Sequence, residues 1–138
     1  VLPWGDANEK QRAERIKRTI ENQLSSLPEI QVTPWVPENK LNLTEMVQLL
    51  KNANAVVSVD TGLSHVAAAL EVPMVVLYRV TDPEKVGALG SKVTHLISPL
   101  AKNYLKKFNR PAEEKNSLKG LGVKEVIKAT SPGETGEA

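Results

Sequence analysis

The run Ser58-Val59-Asp60-Thr61-Gly62-Leu63-Ser64-His65-Val66-Ala67-Ala68-Ala69-Leu70 is compatible with few folds. An apolar strand over Ala55 to Val59 leads into a carboxylate, a Thr-Gly turn, and a helix of small residues with a histidine in its first turn. The strand is almost wholly apolar, the pattern of a parallel strand covered on both faces. Ala67, Ala68 and Ala69 suit a helix packed close to its sheet and carry no chemistry. Open α/β sheets hold ligands at the carboxyl ends of their strands. The helix start aims unpaired N–H groups and a positive dipole end at that rim, so the expected ligand is a phosphorylated small molecule.

The flanking residues extend the same order. Ile16, Ile20, Leu24 and Leu27 recur at steps of three and four within Glu9 to Leu27, which predicts an amphipathic helix capped by Asp6 or Asn8. Ile30, Val32 and Trp35 space out as in a strand over Glu29 to Trp35, kept short by Pro34 and Pro37. Leu43 to Asn52 reads as a second helix, with Asn42 as N-cap and Glu45 completing a capping box. After the helix from Gly62 to Leu70 come Pro73, a strand over Met74 to Tyr78, a short helix opened by Asp82-Pro83, and a strand over Val93 to Ile97. Val123 to Ala129 is expected as a closing helix, weakened by Gly120 and Gly122. Strands alternating with helices predict an α/β fold: a Rossmann-like parallel sheet with helices on both faces.

One domain is expected over residues 1–130, with Ser131 to Ala138 as a disordered tail. Val1-Leu2-Pro3-Trp4-Gly5 reads as the end of a strand and its exit loop, so the first strand looks truncated, as in a fragment or a rearranged chain. The chain has 138 residues, 41% hydrophobic and 25% charged, enough for a real core. With 18 basic and 16 acidic residues the net charge is +2, which argues against a nucleic-acid partner. Cysteine is absent, which excludes disulfides and thiolate metal sites and suits a cytoplasmic location. No apolar stretch approaches the ~20 residues that span a bilayer. Lys102, Lys106, Lys107 and Arg110 read as a solvated face, with peripheral contact to a membrane surface as the sharper alternative.

Candidate chemistry gathers at the strand ends. Asp60 either accepts sugar hydroxyls or caps the helix that follows. Gly62 either clears a path for phosphate to the backbone amides or permits a tight turn or close packing. His65 can donate a hydrogen bond to phosphate from the same mouth, or serve only as a structural hydrogen-bonder. Ser64 lies in the same turn, and Thr81-Asp82-Pro83 marks the next turn on that rim. Glu9, near the Trp4-Gly5 strand exit, is placed to reach a ribose, or is simply an exposed first-turn glutamate. The two histidines, His65 and His95, are far apart in sequence, and no metal-ligand spacing, P-loop, GxGxxG or Ser/His/Asp arrangement is present.

Taken in order, LPWG-x(3)-E, KLNLTEMVQLLKNA, VVSVDTGLSHVAAAL, and TDP followed by GALG resemble the bacterial lipopolysaccharide heptosyltransferases of glycosyltransferase family 9. The resemblance covers about Leu2 to Gly90 and is to the C-terminal half of the heptosyltransferase I branch. It implies the C-terminal, Rossmann-like domain of a GT-B glycosyltransferase, which binds the donor ADP-heptose. It further implies inverting transfer of heptose to the Kdo of a lipid A–Kdo acceptor, with neither metal nor cofactor. By the same resemblance Asp60 binds the heptose hydroxyls, Thr61 and Gly62 cradle the diphosphate through their amides, and His65 assists. Glu9 corresponds to the ribose contact, and Leu41, in Lys40-Leu41-Asn42, to the position whose backbone meets adenine. Ser64, Thr81 and Asp82 are secondary candidates.

The chain departs from that pattern at Arg79-Val80, where the family has Gly-Pro, and matches it poorly beyond Gly90. The acceptor-binding domain and its general-base aspartate have no counterpart here, so the chain alone is expected to bind nucleotide sugar and not to transfer it. A donor domain for another nucleotide sugar and a non-catalytic nucleotide-binding subunit are the alternatives.

Overall fold

In the computed structural model the described residues are 1–79, 83–101 and 117–130. The chain divides into two compact units, Val1–Met46 and Val47–Ala138.

The first unit is built around helix α1 (Ala7–Leu24). Asp6 is its N-cap: the extended backbone there lets Oδ1 accept the Glu9 N–H at 2.8 Å, meeting one of the donors a helix start leaves unpaired. The expected run to Leu27 stops at Leu24. Ser25 and Ser26 turn their hydroxyls back onto the carbonyls of Asn22 and Gln23, offering the backbone partners that end the helix. Beyond it, the predicted strand over Glu29 to Trp35 is absent. A single backbone bond, Leu2 N–H to the Trp35 carbonyl at 2.9 Å, joins that segment to the N-terminal one. Pro3, Pro34 and Pro37 lack the N–H groups that a longer ladder needs. Side chains do the rest of the tying. The Trp4 indole donates to the Pro37 carbonyl at 2.7 Å, and Lys10 sets its ammonium 4.7 Å from the Trp4 ring centre while donating to the Glu38 carbonyl.

Helix α2 (Leu43–Lys51) starts as its sequence predicts. Asn42 Oδ1 accepts the Glu45 N–H at 2.9 Å and Glu45 Oε2 accepts the Asn42 N–H at 2.8 Å, a closed capping box.

The second unit holds a three-stranded parallel sheet in the order β1 (Val56–Val59), β2 (Met74–Tyr78), β3 (Val93–Ile97). Its register pairs Ser58 with Val76 and Val76 with His95. Period two places Met74, Val76 and Tyr78 on one face, where they form the core with Ala67 and Ala68 of α3 (Gly62–Ala69), Leu50 and Ala88. Burial of each large side chain there contributes roughly 1.5–3 kcal/mol. The small alanines let α3 lie close to β1 and β2, as expected. Helix α3 ends in a Schellman turn: Glu71 N–H reaches the Ala68 carbonyl, Val72 N–H the Ala67 carbonyl, and Glu71 takes φ 55°. That turn, followed by Pro73, sends the chain into β2.

Among the described residues only β2 is covered on both faces. Along β1 burial alternates, and Val57 and Val59 are 52% and 43% exposed, contrary to the doubly buried strand expected. The cause is position: β1 is an edge strand among the described residues, and α3 takes the side chains of one face only. Helix α4 (Pro83–Val86) follows β2, and α5 (Val123–Thr130) packs against β2. Gly122 bounds α5 and does not weaken it, because its N–H is taken by Glu125 Oε2 at 2.7 Å. The tail from Ser131 and the basic segment with Lys102, Lys106, Lys107 and Arg110 lie outside the described residues. No helix among the described residues is long and apolar enough to cross a membrane.

Candidate functional site

The carboxyl end of β1 carries Asp60, and the chain turns at Thr61, whose extended backbone (φ −145°, ψ 170°) makes it the N-cap of α3. Ser64 closes the turn from inside: its hydroxyl donates to the Thr61 carbonyl at 2.6 Å and accepts the Thr61 N–H at 3.4 Å. Ser64 is fully buried, so it shapes the turn rather than facing solvent. Among the described residues the N–H groups of Gly62 and Leu63 meet no acceptor, as the first amides of a helix do. They form an anion-receptive mouth.

Gly62 distinguishes between its two readings. A Cβ built on it would touch nothing within 4 Å, and its φ lies outside the left-handed region. Neither close packing nor backbone strain therefore calls for glycine at this position. What glycine supplies is open space directly over the helix mouth.

His65, one turn in, comes to the same place: its Nε2 stands 4.0 Å from Asp60 Oδ1. The side chain of Asp60 is 18% exposed and that of His65 51%, so a carboxylate set into the rim sits beside an imidazole that reaches solvent. Asp60, Thr61, Gly62 and His65 are thus brought together at one mouth. Thr81 and Asp82 lie outside the described residues.

The other two candidates belong to the first unit. Glu9 is exposed, and its Oε2 accepts the Gly5 N–H at 2.6 Å, which fixes the carboxylate at the start of α1. Leu41 is half-buried, and among the described residues neither its N–H nor its carbonyl is hydrogen-bonded. A free donor and acceptor on adjacent backbone suit the edge of a heterocyclic base.

Sequence reasoning passed over Tyr78. This residue ends β2 and is fully buried, and its hydroxyl lies 2.9 Å from His95 Nδ1 and takes the backbone N–H of Ala88. Burial pushes its pKa up, the Ala88 N–H opposes that rise, and the Asp60 carboxylate adds to it. The signal was available: a tyrosine in an otherwise aliphatic buried strand needs a partner for its hydroxyl.

A parallel α/β sheet with an anion-receptive helix start at the carboxyl end of a strand, beside a carboxylate and an imidazole, is the arrangement at which open α/β folds hold ligands. The sequence profile of glycosyltransferase family 9 (heptosyltransferase) matches residues 1–117, and the chain belongs to that family. Lipopolysaccharide heptosyltransferase 1 of Pseudomonas aeruginosa is 42% identical over 95 residues, which cover 69% of this chain and 23% of that protein. Two solved structures of the E. coli heptosyltransferase WaaC share the fold. The one with ADP superposes with a TM-score of 0.64 at 29% identity, covering 94% of this chain and 33% of its own. The one with ADP-2-deoxy-2-fluoro heptose gives 0.62 at 28% identity, covering 94% of this chain and 32% of its own. The chain therefore spans about a quarter to a third of the length of these relatives.

Proposed function

We propose that this chain is the donor-binding portion of a heptosyltransferase that transfers heptose from ADP-heptose to the Kdo of the lipopolysaccharide inner core. The observation that carries the reading is the open space over Gly62 at the start of α3, flanked by Asp60 and His65. It is supported by the family and by relatives solved with ADP and with a fluorinated ADP-heptose.

In this reading the diphosphate docks on the amides of Gly62 and Leu63, while the Thr61 N–H, which the resemblance also assigned to the diphosphate, is turned to the Ser64 hydroxyl. As the sugar leaves, negative charge grows on the diphosphate, and fixed N–H donors stabilise it without needing to reorient. His65 adds a donor at the same charge. Asp60 accepts from the heptose hydroxyls, and Ser64 keeps the turn in shape. The roles proposed for Glu9 (ribose) and Leu41 (adenine) belong to the first unit and rest on the sequence resemblance. The scheme is proposed to run without metal or cofactor, with the positive end of α3 and its amides facing the diphosphate charge. The lipid A–Kdo acceptor and the general base are assigned to the portion of the relatives that this chain does not cover. The protein would work in the cytoplasm, with peripheral contact at the membrane that carries its acceptor.

Calorimetric titration of the chain with ADP-heptose, ADP and UDP, repeated for Asp60→Ala and Gly62→Val, tests the reading. Preference for the adenine nucleotides is the expected result, with ADP-heptose binding weakened in both variants and ADP binding lost only in Gly62→Val. Tight UDP binding would keep the glycosyltransferase class and discard heptose, and robust sugar transfer by this chain alone would overturn the division of labour.

A further inference from the structure

The rim next to Asp60 is held by a group with no place in the scheme above. Tyr78 is the last residue of β2, and the register that pairs Val59 with Leu77 sets it beside Asp60. Its hydroxyl oxygen accepts the Ala88 N–H, and the hydroxyl lies 2.9 Å from Nδ1 of His95 on β3. The two rings are 5.3 Å apart at their centres. A phenol has one proton to give, and Nδ1 of His95 is the ring nitrogen within its reach. The contact ties the imidazole of β3 to the end of β2.

The chain on the far side is packed onto this hydroxyl. A Cβ on Gly87 would run into the Pro83 carbonyl oxygen and would sit 2.9 Å from the Tyr78 oxygen. Ala88 is fully buried, and the Gly87 N–H bonds the Pro83 carbonyl at 2.9 Å. The end of α4 and the residues that follow it are therefore clamped onto the carboxyl end of β2 through one oxygen atom.

We infer that Tyr78 and His95 form a positioning pair that holds the Gly87–Ala88 segment against the carboxyl end of β2 and so fixes the sheet rim at which Asp60 meets the donor. The inference rests on the donor-site reading given above. Neither side chain is assigned a contact with the ligand: His95 acts on Tyr78, and Tyr78 acts on the backbone of Ala88.

The test uses ADP as the probe, on the chain and three variants, with thermal unfolding measured on the same samples. His95→Leu removes the acceptor, His95→Asn keeps a side-chain acceptor near the Nδ1 position, and Tyr78→Phe removes the hydroxyl. His95 is an exposed strand residue, so its variants fold even where Tyr78→Phe does not. Loss of one well-formed hydrogen bond should weaken ADP binding about fivefold to tenfold in His95→Leu and Tyr78→Phe. His95→Asn should return to within about twofold of the parent, a rescue that loss of packing alone would not give. Amide exchange at Ala88 should speed up in Tyr78→Phe. If His95→Leu melts earlier but binds ADP as the parent does, the pair is structural only and the inference falls while the donor site stands. If His95→Asn fails to rescue, the acceptor role is wrong. If the parent itself does not bind ADP, the donor reading and this inference fall together.

Discussion

Asp60 and His65 face each other across the first turn of α3, with His65 Nε2 4.0 Å from Asp60 Oδ1. That separation is too long for a hydrogen bond. The half-exposed imidazole therefore retains its hydrogen-bonding capacity for a ligand, while the more sheltered carboxylate is the stronger acceptor for sugar hydroxyls.

The two side chains should separate sugar from phosphate. Asp60→Ala is expected to weaken ADP-heptose about 10–100-fold, the scale of hydrogen bonds to a charged group, and to weaken ADP far less. His65→Ala should weaken both ligands by similar factors, since it is assigned to the part they share. Calorimetry with the two ligands in parallel reads this directly. Equal losses for ADP and ADP-heptose on Asp60→Ala would place the heptose elsewhere.

Two glycines should respond in opposite ways. Gly62→Val meets open space, so it should change stability by no more than about 0.5 kcal/mol while abolishing ADP binding. Gly87→Ala meets the Pro83 backbone and the Tyr78 oxygen, so it should cost about 1–3 kcal/mol of stability. Urea unfolding together with ligand titration separates the two. A strongly destabilised Gly62→Val would mean that its glycine is structural after all.

Glu71 offers a route to stabilisation. It holds the left-handed position of the Schellman turn, where a Cβ is strained, and it is exposed. Glu71→Gly should raise stability by about 1 kcal/mol in chemical denaturation and leave ligand binding unchanged.

Tyr78 predicts behaviour at alkaline pH. Burial first, then the Asp60 carboxylate, raise its folded-state pKa above 10.0, against the opposing Ala88 N–H. A raised pKa means that the folded chain holds the proton more tightly, so the stability is fully present below pH 10 and is lost as pH climbs through the folded value. The stability gap between the parent and Tyr78→Phe should stay flat up to about pH 9 and narrow above about pH 10. A gap that widens with alkali would reverse the assigned sign.

Much of this protein is legible in its sequence because the deciding interactions are short-range. Asn42 and Glu45 are three residues apart, and each meets the other's backbone; Asp6 and Glu9 start α1 in the same way. The strands Met74–Tyr78 and Val93–Ile97 fall where their apolar runs place them. The Asp60 turn is equally local, since strand end, N-cap and helix mouth are contiguous residues.

Tertiary structure decided what depends on neighbours distant in the chain. Val57 and Val59 read as buried and are exposed, because burial depends on whether a second layer covers that face of the edge strand. The Glu29–Trp35 segment has the apolar spacing of a strand but gains one backbone bond to the N-terminal segment, because pairing needs donors on both partners and the prolines remove them. Gly62 was ambiguous between packing and ligand access until the space around its α-carbon was known. The Tyr78–His95 contact spans 17 positions, and only the parallel register of β2 and β3 brings the two rings together. Local sequence sets where helices and strands begin and end, through caps, periodicity and prolines. Which side chains meet across the sheet, and which space stays empty, is set by packing.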